Sequence, residues 1–331
     1  MASPALSTRY TQVVSPSVPD ASFHPMFASL DADVTLRSTQ GTLYRVDSMV
    51  LRATSELFDT MFSLPQPYRD PSSSPFSEPL DVYEDDFVVE CLLRIIHGFS
   101  IPEWQSLCSL NEVLHVAEKW DTPGPISALR QQFGAASRFV KEDPLRCYAI
   151  AKHFEWKEEA RLASRHSLRL DLADPRHSAI LDHLSPKDAR SLLRLHQRRR
   201  EVFKELLNSP HRFIAGNRYV FTLLLDRNPI LNAFISARGQ FHCARCGITE
   251  VSNSTWLELK RRMFQEIDRR PLGDTLVSAL MSEGSGGWTE AMACWESRCF
   301  KSDCGALNYD RLTTLRQIQA CLDVLPDAVE D

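Results

Sequence analysis

Between Asp33 and Phe62 the chain changes its hydrophobic period, and that change limits the fold more than any other feature. Asp33-Val34-Thr35-Leu36-Arg37 has the composition of a short strand, ended by the turn signal Ser38-Thr39-Gln40-Gly41. Thr42-Leu43-Tyr44-Arg45-Val46 alternates polar and apolar residues and reads as the returning strand of a hairpin. Asp47-Ser48 then offers a helix cap, because a short oxygen-bearing side chain accepts orphan backbone N–H groups. A short helix is expected through Met49, Val50 and Leu51. Ser55 caps a second one, in which Leu57, Phe58, Met61 and Phe62 share a face. A hairpin followed at once by two amphipathic helices must bury the helices against the sheet, which is an α+β solution.

The pattern continues beyond a loop. Residues 65–79, PQPYRDPSSSPFSEP, hold five prolines and four serines and are expected to be exposed. Leu80-Asp81-Val82-Tyr83 reads as a third strand. Asp85-Asp86 starts a helix with Phe87, Val88, Cys91, Leu92, Ile95 and Ile96 on one face, stopped by Gly98. Asn111 is read as the cap of the next helix, through Val113, Leu114, Val116, Ala117 and Trp120. A further helix carries Ile126, Leu129 and Phe133. Residues 1–22 are rich in Ser, Pro, Thr and Ala and are expected to be a disordered tail.

The run DADVTLRSTQGTLYRVDSMVLRATSELFDTMF resembles the opening of a BTB/POZ domain. Asp33, Val34, Val50, Leu51, Ser55, Phe58, Met61 and Phe62 match that family's spaced positions. Asp47 stands where the family frequently has histidine. The resemblance covers about residues 28–137. It implies a small sheet with stacked helices and homodimerisation through the first helix and the N-terminal segment. Phe23, Phe27, Met49, Leu51 and Phe58 are the corresponding interface residues here. It also implies an adaptor or scaffold role, with a cullin-type ubiquitin ligase or transcriptional co-regulators as partners.

The second half reads as mainly helical. Asp143-Pro144-Leu145 opens a helix with proline where its missing N–H does no harm. The phrase DPLRCYAIAKHFEWKEEARLASRHSL resembles the segment that follows the BTB domain in a group of fungal BTB proteins. Ser185-Pro186-Lys187-Asp188 is a strong helix start, and its helix is expected to turn Leu192, Leu193, Val202, Phe203, Leu206 and Leu207 inward. Arg198-Arg199-Arg200 lies within it. That run suits a localisation patch or a nucleic-acid contact. It equally suits the solvated face of an amphipathic helix, which Glu201 and Glu205 favour. Four segments follow from these readings: a tail over 1–22, the BTB/POZ-like domain over 23–140, a helical linker over 141–220 and a helical cysteine-containing lobe over 221–331.

Cysteine carries the most chemistry. Cys91, Cys108, Cys147 and Cys321 lie in helical patterns and read as small packing residues. Cys243, Cys246, Cys294, Cys299 and Cys304 cluster. Cys243-Ala244-Arg245-Cys246-Gly247 has the form of a zinc knuckle, in which two thiolates grip one ion from a tight turn. Cys294, Cys299 and Cys304 are three candidates for the two remaining positions of a closed structural Zn2+ site. The phrase EAMAC resembles the helix-borne cysteine of the same fungal group. The set it implies is Cys243, Cys246, Cys294 and Cys299, with Cys304 the alternate. His242 adjoins Cys243 and cannot easily reach the same ion.

Composition narrows the function classes. The chain has 331 residues and a net charge of −5, which argues against a wholesale nucleic-acid binder. The charge is uneven: residues 31–140 carry −8, and residues 141–220 carry +6. No signal peptide and no membrane span are expected, so the expected compartment is nucleus or cytoplasm, with reduced thiols. The sequence has no P-loop, no G-x-G-x-x-G after a strand, no H-E-x-x-H and no G-x-S-x-G. Scattered histidines, among them His153, His166, His177, His183 and His196, read as surface residues. The expectation is a non-enzymatic interaction module. The alternative is a nucleic-acid-linked regulator using the basic helical segment and the zinc lobe.

Overall fold

The computed structural model describes residues 22–64, 78–101, 103–133, 138–209, 243, 245–246, 254–282 and 286–330. The expected tail lies outside these residues apart from Ser22, and the proline-rich loop lies outside them up to residue 77. The chain forms two compact units, Met1–Gly134 and Ala135–Asp331. Residues 141–220 and 221–331 are therefore parts of one unit.

In the first unit, strand β1 (Val34–Arg37) pairs antiparallel with β2 (Leu43–Val46), with Leu36 opposite Tyr44. Strand β3 (Leu80–Asp81) adds in parallel on the other side of β1, giving the order β2-β1-β3. Arg37 and Asp81 meet across that parallel pair through two hydrogen bonds of 2.5 and 2.9 Å. Asp47 accepts from the Met49 amide and starts α1 (Ser48–Thr54). Ser55 ends that helix and caps α2 (Glu56–Ser63), accepting from the Phe58 amide.

Three longer helices follow: α3 (Asp86–Ile96), α4 (Leu107–Lys119) and α5 (Pro123–Phe133). Helix α4 starts four residues before Asn111, because Ser106 accepts from the Ser109 amide and serves as its cap. The core gathers Leu36, Tyr44, Leu51, Phe58, Leu92, Leu114, Trp120 and Phe133, and Phe58 meets Trp120 edge-on at 5.2 Å. Cys91 is buried here, whereas Cys108 is exposed rather than packed.

The second unit is helical: α6 (Phe139–Glu142), α7 (Pro144–His153), α8 (Lys157–Ser167), α9 (Ser178–His183) and α10 (Pro186–Asn208). Further along the chain come α11 (Ser254–Arg269), α12 (Asp274–Met281), α13 (Thr289–Glu296) and α14 (Arg311–Asp323). Phe203, Leu206 and Leu207 of α10 join Trp256, Met263, Ile267, Leu276, Trp295, Leu315 and Ile318 in one core.

Helix α10 departs from its sequence reading at four positions. Leu193 is exposed, and Leu195 is the inward residue beside Leu192. Arg199 is buried, not solvated. Its guanidinium donates to the carbonyls of Pro271 at 2.6 Å, Leu272 at 2.9 Å, Leu325 at 3.3 Å and Pro326 at 2.8 Å. His196 is buried as well, 3.0 Å from the Ser167 hydroxyl. Burial, then the nearby Arg200 and Arg199, drive its pKa down to about 3, so the ring is neutral.

Candidate metal centre

The site is built from a turn at residues 243–246 and a loop that leaves the C-terminal end of α13. Ser297 and Asn308 close that loop. The Asn308 amide donates to the Ser297 carbonyl at 2.9 Å, and the Asn308 side chain donates to the Ser297 hydroxyl at 2.7 Å. The Cys299 amide donates to the Ala306 carbonyl at 2.8 Å, so residues 298–307 run as a narrow antiparallel pair. Cys304 turns back through a bond from its amide to the Lys301 carbonyl. Gly305 follows with φ +56°, a left-handed conformation that glycine adopts without steric cost. Arg245 ties the two segments together, donating to the Cys304 carbonyl at 3.0 Å.

Four sulfurs converge there. Those of Cys243, Cys246, Cys299 and Cys304 all lie within 4.8 Å of one another. Cys243 and Cys304 are 3.5 Å apart, and Cys246 and Cys299 are 3.7 Å apart. All four are free thiols. A tetrahedron of thiolates about 2.3 Å from a central ion has edges of about 3.8 Å, so these spacings suit a four-sulfur metal site.

The surrounding backbone favours the ionised sulfurs. The amides of Cys246 and Arg245 donate to the Cys243 sulfur and lower its pKa to about 6. At Cys299 the Lys301 amide acts in the same direction. Burial and the neighbouring thiols outweigh it, and the pKa is pushed up to about 11. Cys304 follows the same pattern: the Ala306 amide lowers its pKa, while burial and the Cys243 and Cys246 thiols raise it. Amide-to-sulfur bonds from the residue two positions on therefore recur at Cys243, Cys299 and Cys304. Four thiols this close cannot all ionise unless a cation balances them.

Cys294 does not belong to this group. It is fully buried in the core with Trp256, Trp295 and Tyr309, where burial pushes its thiol up to about 12. Its place on α13 explains this. Ala291, Cys294 and Trp295 are the buried residues of that helix, so Cys294 completes an apolar stripe. Cys304 takes the fourth position. A signal for it was present in the sequence, since Cys304-Gly305 repeats the Cys246-Gly247 pair of the knuckle. His242 and Gly247 lie outside the described residues.

The residues expected at a dimer interface separate into two sets. Phe27, Leu51 and Phe58 are buried within the first unit and serve its own core. Met49 and Phe23 remain exposed, at 74% and 38% of their surface. Met26 and Leu30, which lie near Phe23 in the chain and which sequence reading passed over, are exposed as well.

No protein-family model matches the chain, and no curated protein is found to be similar to it. Among the described residues no helix is long and apolar enough to cross a membrane.

Proposed function

We propose that this chain is a non-enzymatic protein–protein interaction module of BTB/POZ type, whose first unit pairs with a second copy and whose second unit is stapled by a structural zinc ion. The observation that carries the pairing is the apolar surface on the N-terminal segment and α1. Phe23, Met26, Leu30 and Met49 are exposed, with Leu30 at 75%. Large apolar side chains left exposed to solvent support an interaction role for this part of the unit. The free edge of β2 is already occupied by the same chain: the Leu43 amide donates to Ser22, the His24 amide to Leu43, and the Arg45 amide to Phe27. Side chains of this segment, not strand addition at that edge, are thus the means of pairing.

The order hairpin, helix pair, short third strand and three helices is compatible with this reading and supports it. Partners of the paired module are a cullin scaffold or transcriptional co-regulators. Zinc is the ion of choice for the cysteine site because four thiolates at tetrahedral spacing leave no open position for catalysis. Light scattering across micromolar concentrations tests the pairing. A dimer is expected, and Met49→Asp with Leu30→Asp should convert it to a folded monomer. A wild-type chain that stays monomeric throughout would remove the proposal.

A further inference from the structure

We infer that the four-cysteine site is peroxide-sensitive, and that oxidation replaces the metal by two cross-linking disulfides, Cys243–Cys304 and Cys246–Cys299. The inference rests on the metal-site reading above and adds the chemistry of its sulfurs.

Four cysteines allow three pairings. Two neighbours in sequence, Cys243 with Cys246 and Cys299 with Cys304, would give bonds internal to each segment. Two close sulfur contacts run between the segments instead. The Cys243 sulfur lies 3.5 Å from Cys304, and the Cys246 sulfur lies 3.7 Å from Cys299. Each of these pairs joins the 243–246 turn to the 298–307 loop, and the Arg245 bond to the Cys304 carbonyl holds the two segments in that register. The choice of pairing matters. Internal bonds would let the segments part once the metal leaves, whereas crossed bonds keep them joined.

The site is also open to a small oxidant. Cys246 is only half-buried, and Arg245, Phe300, Lys301, Ser302, Asp303 and Gly305 around the sulfurs are exposed. The other thiols of this unit, Cys147, Cys294 and Cys321, are buried in apolar surroundings away from this group. Selectivity therefore comes from the fold.

The oxidant is a hydroperoxide. Its O–O bond breaks as the Cys246 thiolate attacks one oxygen, forming a sulfenic acid and releasing hydroxide. The Cys299 thiolate then attacks that sulfur, so the S–S bond forms, the S–O bond breaks and a second hydroxide leaves. Two electrons from the sulfur pair thus reduce one peroxide. A second peroxide oxidises Cys243 and Cys304 in the same way. The dication, having lost its thiolate ligands, is released into solution.

The test uses the full chain carrying Cys108→Ser, which removes an exposed thiol that can cross-link copies. Zinc content is measured first on reduced protein; a chain purified with zinc available that holds none refutes the metal reading itself. Zinc-loaded protein is then titrated with hydrogen peroxide while a chromogenic chelator reports released metal. Disulfides are mapped by non-reducing peptide mass spectrometry. Release of one zinc for two peroxides, with Cys243–Cys304 and Cys246–Cys299 peptides, is the expected result. Zinc retained at excess peroxide overturns the inference, as does a map dominated by Cys243–Cys246 and Cys299–Cys304. Either of these outcomes leaves the metal reading standing.

Discussion

Lys260 has no exposed surface, and its ammonium donates to the Asn208 side-chain oxygen at 2.8 Å beside the Trp256 ring. Burial lowers its pKa from the ordinary 10.5 to about 7. The folded chain therefore binds fewer protons at this site than the unfolded chain between about pH 7 and pH 10.5. Stability contributed by this site must rise with pH across that window and stay flat at its lower level below it. The two ends should differ by on the order of 5 kcal/mol. Urea unfolding followed by tryptophan fluorescence from pH 6.5 to 10 reads this slope, and Lys260→Met should largely abolish it. A slope that persists in the variant would place its origin elsewhere. His196 acts with the same sign in a more acidic window, between about pH 3 and 6.5, because burial keeps its ring neutral in the fold. Neither residue was legible in the sequence. Both sit at positions whose burial depends on how α8, α10 and α11 assemble, and no local pattern announces that. Arg199 is a similar case: adjacent Arg198 and Arg200 point to solvent chemistry, while Arg199 itself turns inward to four carbonyls. Arg199→Met should cost about 3 kcal/mol or more, since several buried carbonyls lose a charged donor together. Limited proteolysis should then cut near Leu325, which the parent resists.

At the level of single elements, short polar residues do much of the positioning. Ser55 accepts from the Phe58 amide and donates its hydroxyl to the Trp120 carbonyl, so one side chain both caps α2 and links it to the end of α4. Ser55→Ala should lower the stability of the first unit by about 1–2 kcal/mol, whereas Ser55→Thr should recover part of the loss. Thermal unfolding of both variants checks this. Ser55, Asp47, Asp85, Asp143 and Ser185 were readable as caps because a cap is a local event, set by one side chain and the next few amides. The start of α4 was not, because Ser106 and Asn111 are both competent caps, and only the packing of Leu107 and Leu110 decides between them. The same distinction governs the metal site. The Cys243-x2-Cys246 turn is local and legible. Choosing among Cys294, Cys299 and Cys304 required knowing that α13 turns Ala291, Cys294 and Trp295 into one core. Metal titration separates the two roles. Cys304→Ser should reduce zinc binding, while Cys294→Ser should retain a full equivalent of zinc and lose stability through its buried hydroxyl.

For the whole molecule, the division into Met1–Gly134 and Ala135–Asp331 places the four-sulfur group in the second unit, so any metal dependence is expected there and not in the first. The first unit's core, centred on Leu36, Tyr44, Leu51, Phe58 and Trp120, contains no member of the four-sulfur group. In the second unit, by contrast, Cys243 and Cys246 meet Cys299 and Cys304 across more than fifty residues of chain. Under the proposed reading, a zinc ion at that meeting point would supply binding free energy of roughly 10 kcal/mol at neutral pH, adding to the stability of whatever it holds folded. Chelation of zinc should therefore split thermal unfolding into two events. Ala135–Asp331 melts earlier, and Met1–Gly134 keeps its midpoint. Calorimetry with and without chelator, with the units told apart by hydrogen exchange, makes the comparison. Equal downward shifts in both units would mean that the ion supports the whole chain. No shift in either would mean that the sulfurs meet without a metal. The exposed apolar residues Phe23, Met26, Leu30 and Met49 belong to the unit that should survive, so the proposed self-association should persist in chelator. If the proposed pairing and the proposed metal site both hold, self-association through the first unit and metal-dependent order in the second should vary independently.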